Sequence, residues 1–223
     1  MRSIIVAFSE RKPRRVLLAS NNQSKLAELR SITSSLGLDV RSPAELGVEL
    51  EVEETGSSFA ENAVLKARAF HQEVAGVVLA DDSGLVVDAL GGEPGILSAR
   101  FGGPQLDDAG RNSLVLERMR GVPTAARTAR FVAAIAVVGL DTEPMVFSGV
   151  VEGLITERPA GDGGFGYDPI FFYPPFGRTL AEVSAAEKAS VSHRGKALRS
   201  AARYLGSYTY HDESSKDIDE ARL

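Results

Sequence analysis

Five short segments of this chain group side chains that do chemistry on charged substrates. The first, Ser20-Asn21-Asn22-Gln23-Ser24-Lys25, sits between an apolar run and an amphipathic one. A strand-to-helix turn collects free backbone N–H groups and the positive end of the helix dipole. That suits phosphate, and Lys25 adds a full charge. The same Asn and Ser side chains would also serve simply to cap the helix. G-x-x-x-x-G-K-[ST] occurs nowhere, so this is not a Walker loop. The second segment, Glu53-Glu54-Thr55-Gly56, precedes a helical pattern carrying Glu61, Asn62 and Lys66. It closes a run of acids from Glu45, which reads as a solvated face or as hard oxygen ligands for magnesium.

The third segment is Leu79-Ala80-Asp81-Asp82-Ser83-Gly84. Two aspartates directly after a buried strand stand where α/β sheets place ligands. A carboxylate there would hold a metal, accept a proton from water, or cap a turn. The fourth runs from Gly161 to Pro169 and contains G-x-G-x-x-G at Gly161, Gly163 and Gly166. A dinucleotide fingerprint should open a helix, yet Pro169 and Ile-Phe-Phe follow, and the other kinase elements are absent. The segment is therefore a flexible loop presenting Phe165 and Asp168 to a base, or a glycine turn around a buried aromatic. The fifth holds Lys188, His193, Arg194 and Lys196 at the start of the last helix, after Glu182 and Glu187. Cations at a helix N-terminus oppose its dipole, and an anionic ligand would account for them. A charged first turn is the plainer reading. His71 and His211 lie far apart, so no multi-histidine metal site is expected.

Interleaved strands and helices must position these groups. Strands are expected at Val16–Ala19, at Val77–Ala80 with a return at Gly84–Ala89, at Arg130–Val138, at Met145–Thr156 and at Ile170–Phe172. Helices are expected at Ser24–Leu36 with Gly37 as C-cap, at Ser58–Val74, at Asp108–Met119 and at Ala185–Tyr204. Gly91–Pro104 reads as a loop. The class is α/β with an antiparallel pair in the middle.

The chain has 223 residues, 25 Lys plus Arg, 30 Asp plus Glu and a net charge of −5. That length suits one large domain with appended segments, or one domain with two lobes. The acidic balance disfavours a general nucleic-acid backbone binder. The absence of cysteine excludes a disulfide scaffold, a thiolate zinc site, an iron–sulfur cluster and a cysteine nucleophile. No apolar run suits a membrane span. The basic cluster follows the first apolar stretch, the reverse of a secretory signal, so the cytoplasm is the expected compartment.

Together the segments closely resemble the inosine triphosphate pyrophosphatase family, the Ham1-like non-canonical purine NTP pyrophosphatases. The resemblance rests on LASNNQSKLAEL, EETGSSFAENAVLKARAF, LADDSGLVVDALGGEPGILSARFGG, GDGGFGYDPIFF and AEKASVSHRGKAL, in family order from about Val16 to Leu205. It implies an elongated, two-lobed α/β fold, a central mixed β-sheet flanked by helices with the nucleotide cleft between the lobes. A lead-in over 1–13 and a polar tail over 209–223 would flank a catalytic domain over 14–208. The implied reaction is hydrolysis of dITP, ITP and XTP to the monophosphate and pyrophosphate, with Mg2+, by a homodimer that binds neither nucleic acid nor membrane.

Carried over position by position, Ser20, Asn21, Asn22, Gln23, Ser24 and Lys25 would bind the triphosphate. Glu53 and Asp82 would hold the metal, and Lys66 would contact phosphate. Asp82 would accept the proton of the water attacking the α-phosphorus, and Ser83 would touch substrate. Phe165, Gly166, Tyr167, Asp168, Lys188, His193 and Arg194 would form the base and phosphate pocket. The resemblance leaves open whether Glu54 or Asp81 shares the metal. Donors from His193 and Arg194 would pair with the 6-oxo group of hypoxanthine and leave adenine's amine facing a donor, a mismatch worth about 10⁴-fold. The rivals are a Maf-type pyrophosphatase with another base preference, a silent nucleotide sensor and an RNA-binding module.

Overall fold

The computed structural model describes residues 14–74 and 76–219; the expected lead-in over 1–13 lies outside them, as do residues 220–223. The chain opens with β1 (Arg14–Leu18), α1 (Gln23–Thr33) and β2 (Leu38–Arg41). It continues with α2 (Phe59–Val74), β3 (Val77–Val87) and α3 (Asp108–Arg118). A long hairpin of β4 (Thr128–Val138) and β5 (Met145–Ile155) leads to short β6 (Phe171–Tyr173) and β7 (Arg178–Thr179). The last helices are α4 (Ala185–Val191) and α5 (His193–Asp219).

The strands form one mixed sheet in the order β2-β1-β3-β4-β5-β6-β7. β2, β1 and β3 are parallel, and every pairing beyond is antiparallel. This is the α/β class expected from the sequence. Val16, Leu17 and Leu18 are buried on both faces of β1, as an apolar run in a covered parallel strand must be. From β1 the chain passes through α1 to β2 on one side, and then through α2 to β3 on the other. The gap between β1 and β3 is thus a topological switch point, where open α/β sheets bind ligands beyond the strands' carboxyl ends.

Three apolar clusters fill the structure. One packs α1 and α5 on the sheet through Leu26, Leu29, Leu79, Ile135 and Leu198. A second packs α2 on the opposite face through Ala63, Ala67, Phe70, Val78 and Ala80. A third fills the far end of the long strands, where Leu85, Phe131, Val151 and Phe171 meet Val115 and Met119. Each fully buried leucine contributes about 2 kcal/mol by its removal from water. Alternation along β3 puts Leu79 in the first cluster and Leu85 in the third, on one face. Asp81 and Ser83 share that face and fall between them.

The structure departs from the sequence reading in several elements, among them the short β7, for which no strand is expected. β3 does not return after Ala80; it runs straight through Asp81, Asp82 and Ser83 to Val87. β4 pairs with it from Val78↔Val138 to Val87↔Ala129, so the ladder carries the polar residues in strand conformation. Gly84 is needed there, because a Cβ would lie 2.7 Å from the Gly95 carbonyl oxygen. The glycine- and proline-rich stretch holds a 3-10 turn at Gly95–Arg100. β2 is a four-residue strand that local pattern does not reveal. The expected last helix is two, broken at Ser192, and the helical backbone continues to Asp219. Among the described residues, no helix is long and apolar enough to cross a membrane.

Candidate functional site

β1 stops opposite Leu79 while β3 runs on, so the edge of β3 beyond that point faces the start of α1. Asn22 caps α1, its Oδ1 accepting the Lys25 backbone N–H at 3.2 Å. Ser20 Oγ accepts the Asn22 N–H, and Asn21 Oδ1 accepts the Ala44 N–H. The capping reading of Ser20 to Lys25 is therefore realised, and it aims Lys25 at the sheet. Asn21, Asn22 and Gln23 are exposed, and only the backbone of Ser24 is described.

Lys25 Nζ lies 2.9 Å from Asp81 Oδ1 and 2.8 Å from Oδ2. Arg194, in the first turn of α5, donates from Nε to Asp81 Oδ2 at 3.2 Å and from Nη2 to Ser83 Oγ at 3.2 Å. Asp81 is buried, which by itself favours the neutral form, but Lys25 and Arg194 outweigh that and hold its carboxyl below the usual range.

Asp82 projects to the α2 side. Asn62, fully buried, donates from Nδ2 to Asp82 Oδ2 at 3.0 Å and accepts the Gly56 N–H on Oδ1 at 2.8 Å. Lys66, one turn along α2, lies 2.5 Å from Glu54 Oε1 and donates to the Asp81 carbonyl at 3.3 Å. Burial pushes the Asp82 carboxyl up, and the nearby Glu54 charge adds to it. Glu54 also meets Arg100 at 3.4 Å. Glu53, by contrast, is exposed on the same loop. Glu51, Val52, Glu53, Glu54 and Arg100 line a cavity of about 550 Å³.

The glycine loop closes the other end of the cleft. Phe165 is 59% exposed, and the Lys188 ammonium lies 4.1 Å from its ring centroid. Asp168 is buried; its Oδ2 accepts the Phe165 N–H at 2.8 Å and pairs with Lys188. Gly164 is required beside it, with φ +71° and a Cβ position that would run into the Asp168 carboxylate. Asp168 therefore fixes the loop and Lys188 rather than standing free for a base. Tyr167 turns away from the cleft into the third cluster, where its hydroxyl donates to the Ser98 carbonyl and burial pushes its pKa up to about 12. An aromatic ring with one satisfied polar tip is more stable in that core than in water. His193 is half-buried, stacked on Phe131 with centroids 5.0 Å apart. Burial, with Arg194 and Lys188 adding to it, lowers its pKa to about 3, so the ring is neutral.

The structure thus brings together Lys25, Lys66, Asp82, Ser83 and Arg194 around β3, and Phe165, Asp168 and Lys188 around the loop. Four further residues join them: Asn62 and Glu54, which the sequence reading names without giving either a settled role, and Arg100 and Glu28, which it does not single out. Asn62 precedes Lys66 by one helical turn, and that spacing was its signal. Glu28 follows Lys25 by nearly a turn on α1. It is half-buried and its pKa is raised by burial, against the opposing pull of Arg194. Arg100 sits in an irregular stretch with no periodic signal.

A family model described as the Ham1 family matches residues 16–204. A dITP/XTP pyrophosphatase of Escherichia coli is 48% identical over 187 residues, 83% of this chain and 94% of that protein. One from Halalkalibacterium halodurans is 44% identical over 189 residues, 85% of this chain and 97% of that protein. The solved structure of a HAM1 protein from Coxiella burnetii aligns with a TM-score of 0.82 at 41% identity, over 86% of this chain and 98% of that one. That of a nucleoside-triphosphatase, dITP/XTP pyrophosphatase, from Mycobacterium abscessus aligns with a TM-score of 0.73 at 45% identity, over 83% and 97%.

Proposed function

The chain belongs to the Ham1 family, and on that premise we propose that it is a nucleoside triphosphate pyrophosphatase that hydrolyses dITP, ITP and XTP to the monophosphate and pyrophosphate. One observation carries the reading. At the switch point, Lys25, Lys66 and Arg194 converge on two adjacent aspartates, one of them matched by cations and the other raised and poised to take a proton. The printed names of the relatives support the substrate class.

In this reading the triphosphate lies across the N-terminus of α1, its oxygens drawing on Lys25, Lys66 and backbone N–H groups. Asp82 takes a proton from the water that attacks the α-phosphorus. The bond to the pyrophosphate oxygen breaks, and the cations stabilise charge on the leaving group. Asn62 holds the Asp82 carboxylate in orientation from below. Phe165 forms the platform and Lys188 and Arg194 the donors that meet the base, with Gly166 beside the ring. Donors facing the 6-oxo position favour hypoxanthine and xanthine over adenine.

Mg2+ suits the donor set. Among the described residues no group of three or more His, Cys, Asp or Glu could hold a metal. Magnesium is ordinarily held by one or two carboxylates with the substrate phosphates completing the shell. Asp82 is one carboxylate; Glu54, whose charge already bears on Asp82, is better placed to be the other than Glu53. When bound, the ion would neutralise phosphate charge and orient the chain for attack. A homodimer in the cytoplasm, with no nucleic-acid or membrane partner, completes the proposal. It rests on the resemblance and the net charge of −5.

The test is product analysis with dITP, dGTP and dATP, with and without Mg2+, resolving pyrophosphate from orthophosphate. Magnesium-dependent dIMP and pyrophosphate, with dGTP and dATP nearly untouched, is the expected result. Orthophosphate, or no turnover of dITP, would move the function to a Maf-type enzyme or a nucleotide sensor.

A further inference from the structure

Phe165 stands on an irregular segment with glycines at 161, 163, 164 and 166, a chain with little stiffness of its own. A platform for a nucleobase has to stay in place. Asp168 holds the Phe165 N–H from within the segment, and two further groups reach it from α3. The Gly166 N–H donates to Asp108 Oδ2 at 2.8 Å, and Asn112 Nδ2 donates to the Gly166 carbonyl at 3.0 Å. Asp108 and Asn112 are one helical turn apart, so a single face of α3 takes both polar groups of the residue next to Phe165.

We infer that Asp108 and Asn112 are positioning residues for base recognition, gripping Gly166 so that Phe165 keeps its pose at the mouth of the cleft. The inference rests on the pyrophosphatase reading above. Asp108 also pairs with Arg111 at 3.5 Å, a contact whose charge Asp108→Asn removes while it keeps the acceptor for Gly166. Capping of α3 belongs to Asp107, whose Oδ1 accepts the Gly110 N–H at 2.8 Å. Asn112 is 4% exposed, and its Oδ1 has no hydrogen-bond partner among the described residues. A buried amide that leaves one atom unsatisfied costs stability that a leucine would not, so its burial beside Val115 on α3 needs a reason. The bond to Gly166 supplies one. The grip works beside two anchors already described: Asp168 on the Phe165 N–H, and the Tyr167 hydroxyl on Ser98. Together they hold three consecutive residues, Phe165 on Asp168, Gly166 on α3 and Tyr167 on the Gly95–Arg100 turn.

The test compares wild type with Asp108→Ala, Asp108→Asn and Asn112→Ala. Asn at 108 keeps an oxygen acceptor for the Gly166 N–H, and Asp107 keeps the helix cap in every variant. Hydrogen–deuterium exchange over residues 161–168 should speed up in both alanine variants and return to the wild-type rate in Asp108→Asn. With dITP, each alanine variant should raise KM by about five- to tenfold, the loss of one hydrogen bond. kcat should change far less, and the preference for dITP over dGTP should narrow. Asp108→Asn should restore KM. Unchanged loop exchange would overturn the grip. Faster exchange with KM and base preference unmoved would overturn its role in recognition. A wild-type protein that releases no pyrophosphate from dITP would overturn the functional reading and this role with it, whereas the exchange result would still report whether the grip exists.

Discussion

Asp81 and Asp82 are neighbours on β3 that project to opposite faces of the sheet, and their surroundings drive their carboxyls in opposite directions. Asp81 meets Lys25 and Arg194 and is held below the usual carboxylate range. Asp82 meets Asn62 and the Glu54 charge, and burial holds it above that range. Two titratable groups pushed apart by their environments divide the work between them. One organises cations, and the other is free to exchange a proton.

Exchange of each for asparagine should separate the two roles. Asp82→Asn should fold normally and lose about 10²- to 10⁴-fold in kcat, with little change in substrate affinity. Asp81→Asn should leave Lys25 and Arg194 without their shared counter-charge. Both cations are largely buried, with side chains 23% and 12% exposed, so removal of that one partner should cost about 3 kcal/mol in urea unfolding. Unfolding curves and single-turnover rates on both variants decide the matter. If Asp82→Asn is the unstable protein and Asp81→Asn the silent one, the roles are reversed.

Much of this arrangement is legible in the sequence, and the gaps have physical causes. Apolar periodicity marks α1 and α2, whose Leu26, Leu29 and Phe70 are buried where the pattern puts them, although Leu65 of the same pattern is exposed. It fails at β3, because Asp81, Asp82, Ser83 and Gly84 look locally like a turn. Only the β4 ladder, from residues more than forty positions away, keeps them extended. Tyr167 and His193 stand in two motifs rich in site residues, yet the third cluster buries one side chain and Phe131 stacks on the half-buried other. A motif records which residues gather near a site, and packing decides which of their side chains reach it. Glu53 and Glu54 show the same limit. As adjacent acids in an extended loop they are equivalent in sequence, and only Lys66 and Arg100 distinguish them.

That distinction has a measurable consequence. Glu54→Gln removes the partner of both cations and the charge that bears on Asp82. It should lower activity by about tenfold or more at saturating dITP and raise the Mg2+ concentration needed for half-maximal rate. Glu53→Gln, at an exposed position, should change either quantity by less than about threefold. Titrating Mg2+ at fixed dITP for the two variants tests this. A larger shift for Glu53→Gln would return the metal to that residue.

His193 ties stability to pH. Its pKa falls to about 3 in the folded protein, where burial is the main cause, Arg194, Lys188 and Lys196 reinforce it, and Asp81 opposes it. In the unfolded chain the imidazole titrates near its ordinary value of about 6.5. Above that pH both states are neutral, and the ring adds no pH dependence. Between about 6.5 and 3 the unfolded chain binds a proton that the folded protein refuses. Stability from this residue is therefore fully present at neutral pH and lost on acidification, by about 1.4 kcal/mol per pH unit. His193→Phe keeps an aromatic ring against Phe131 and cannot be protonated. Urea unfolding of the two proteins from pH 7.5 to pH 4.5 should give curves that run parallel above about pH 6.5. They should diverge below it, with wild type losing about 2 kcal/mol relative to the variant by about pH 5. Curves that stay parallel to pH 4.5 would mean that the imidazole reaches water in the folded protein.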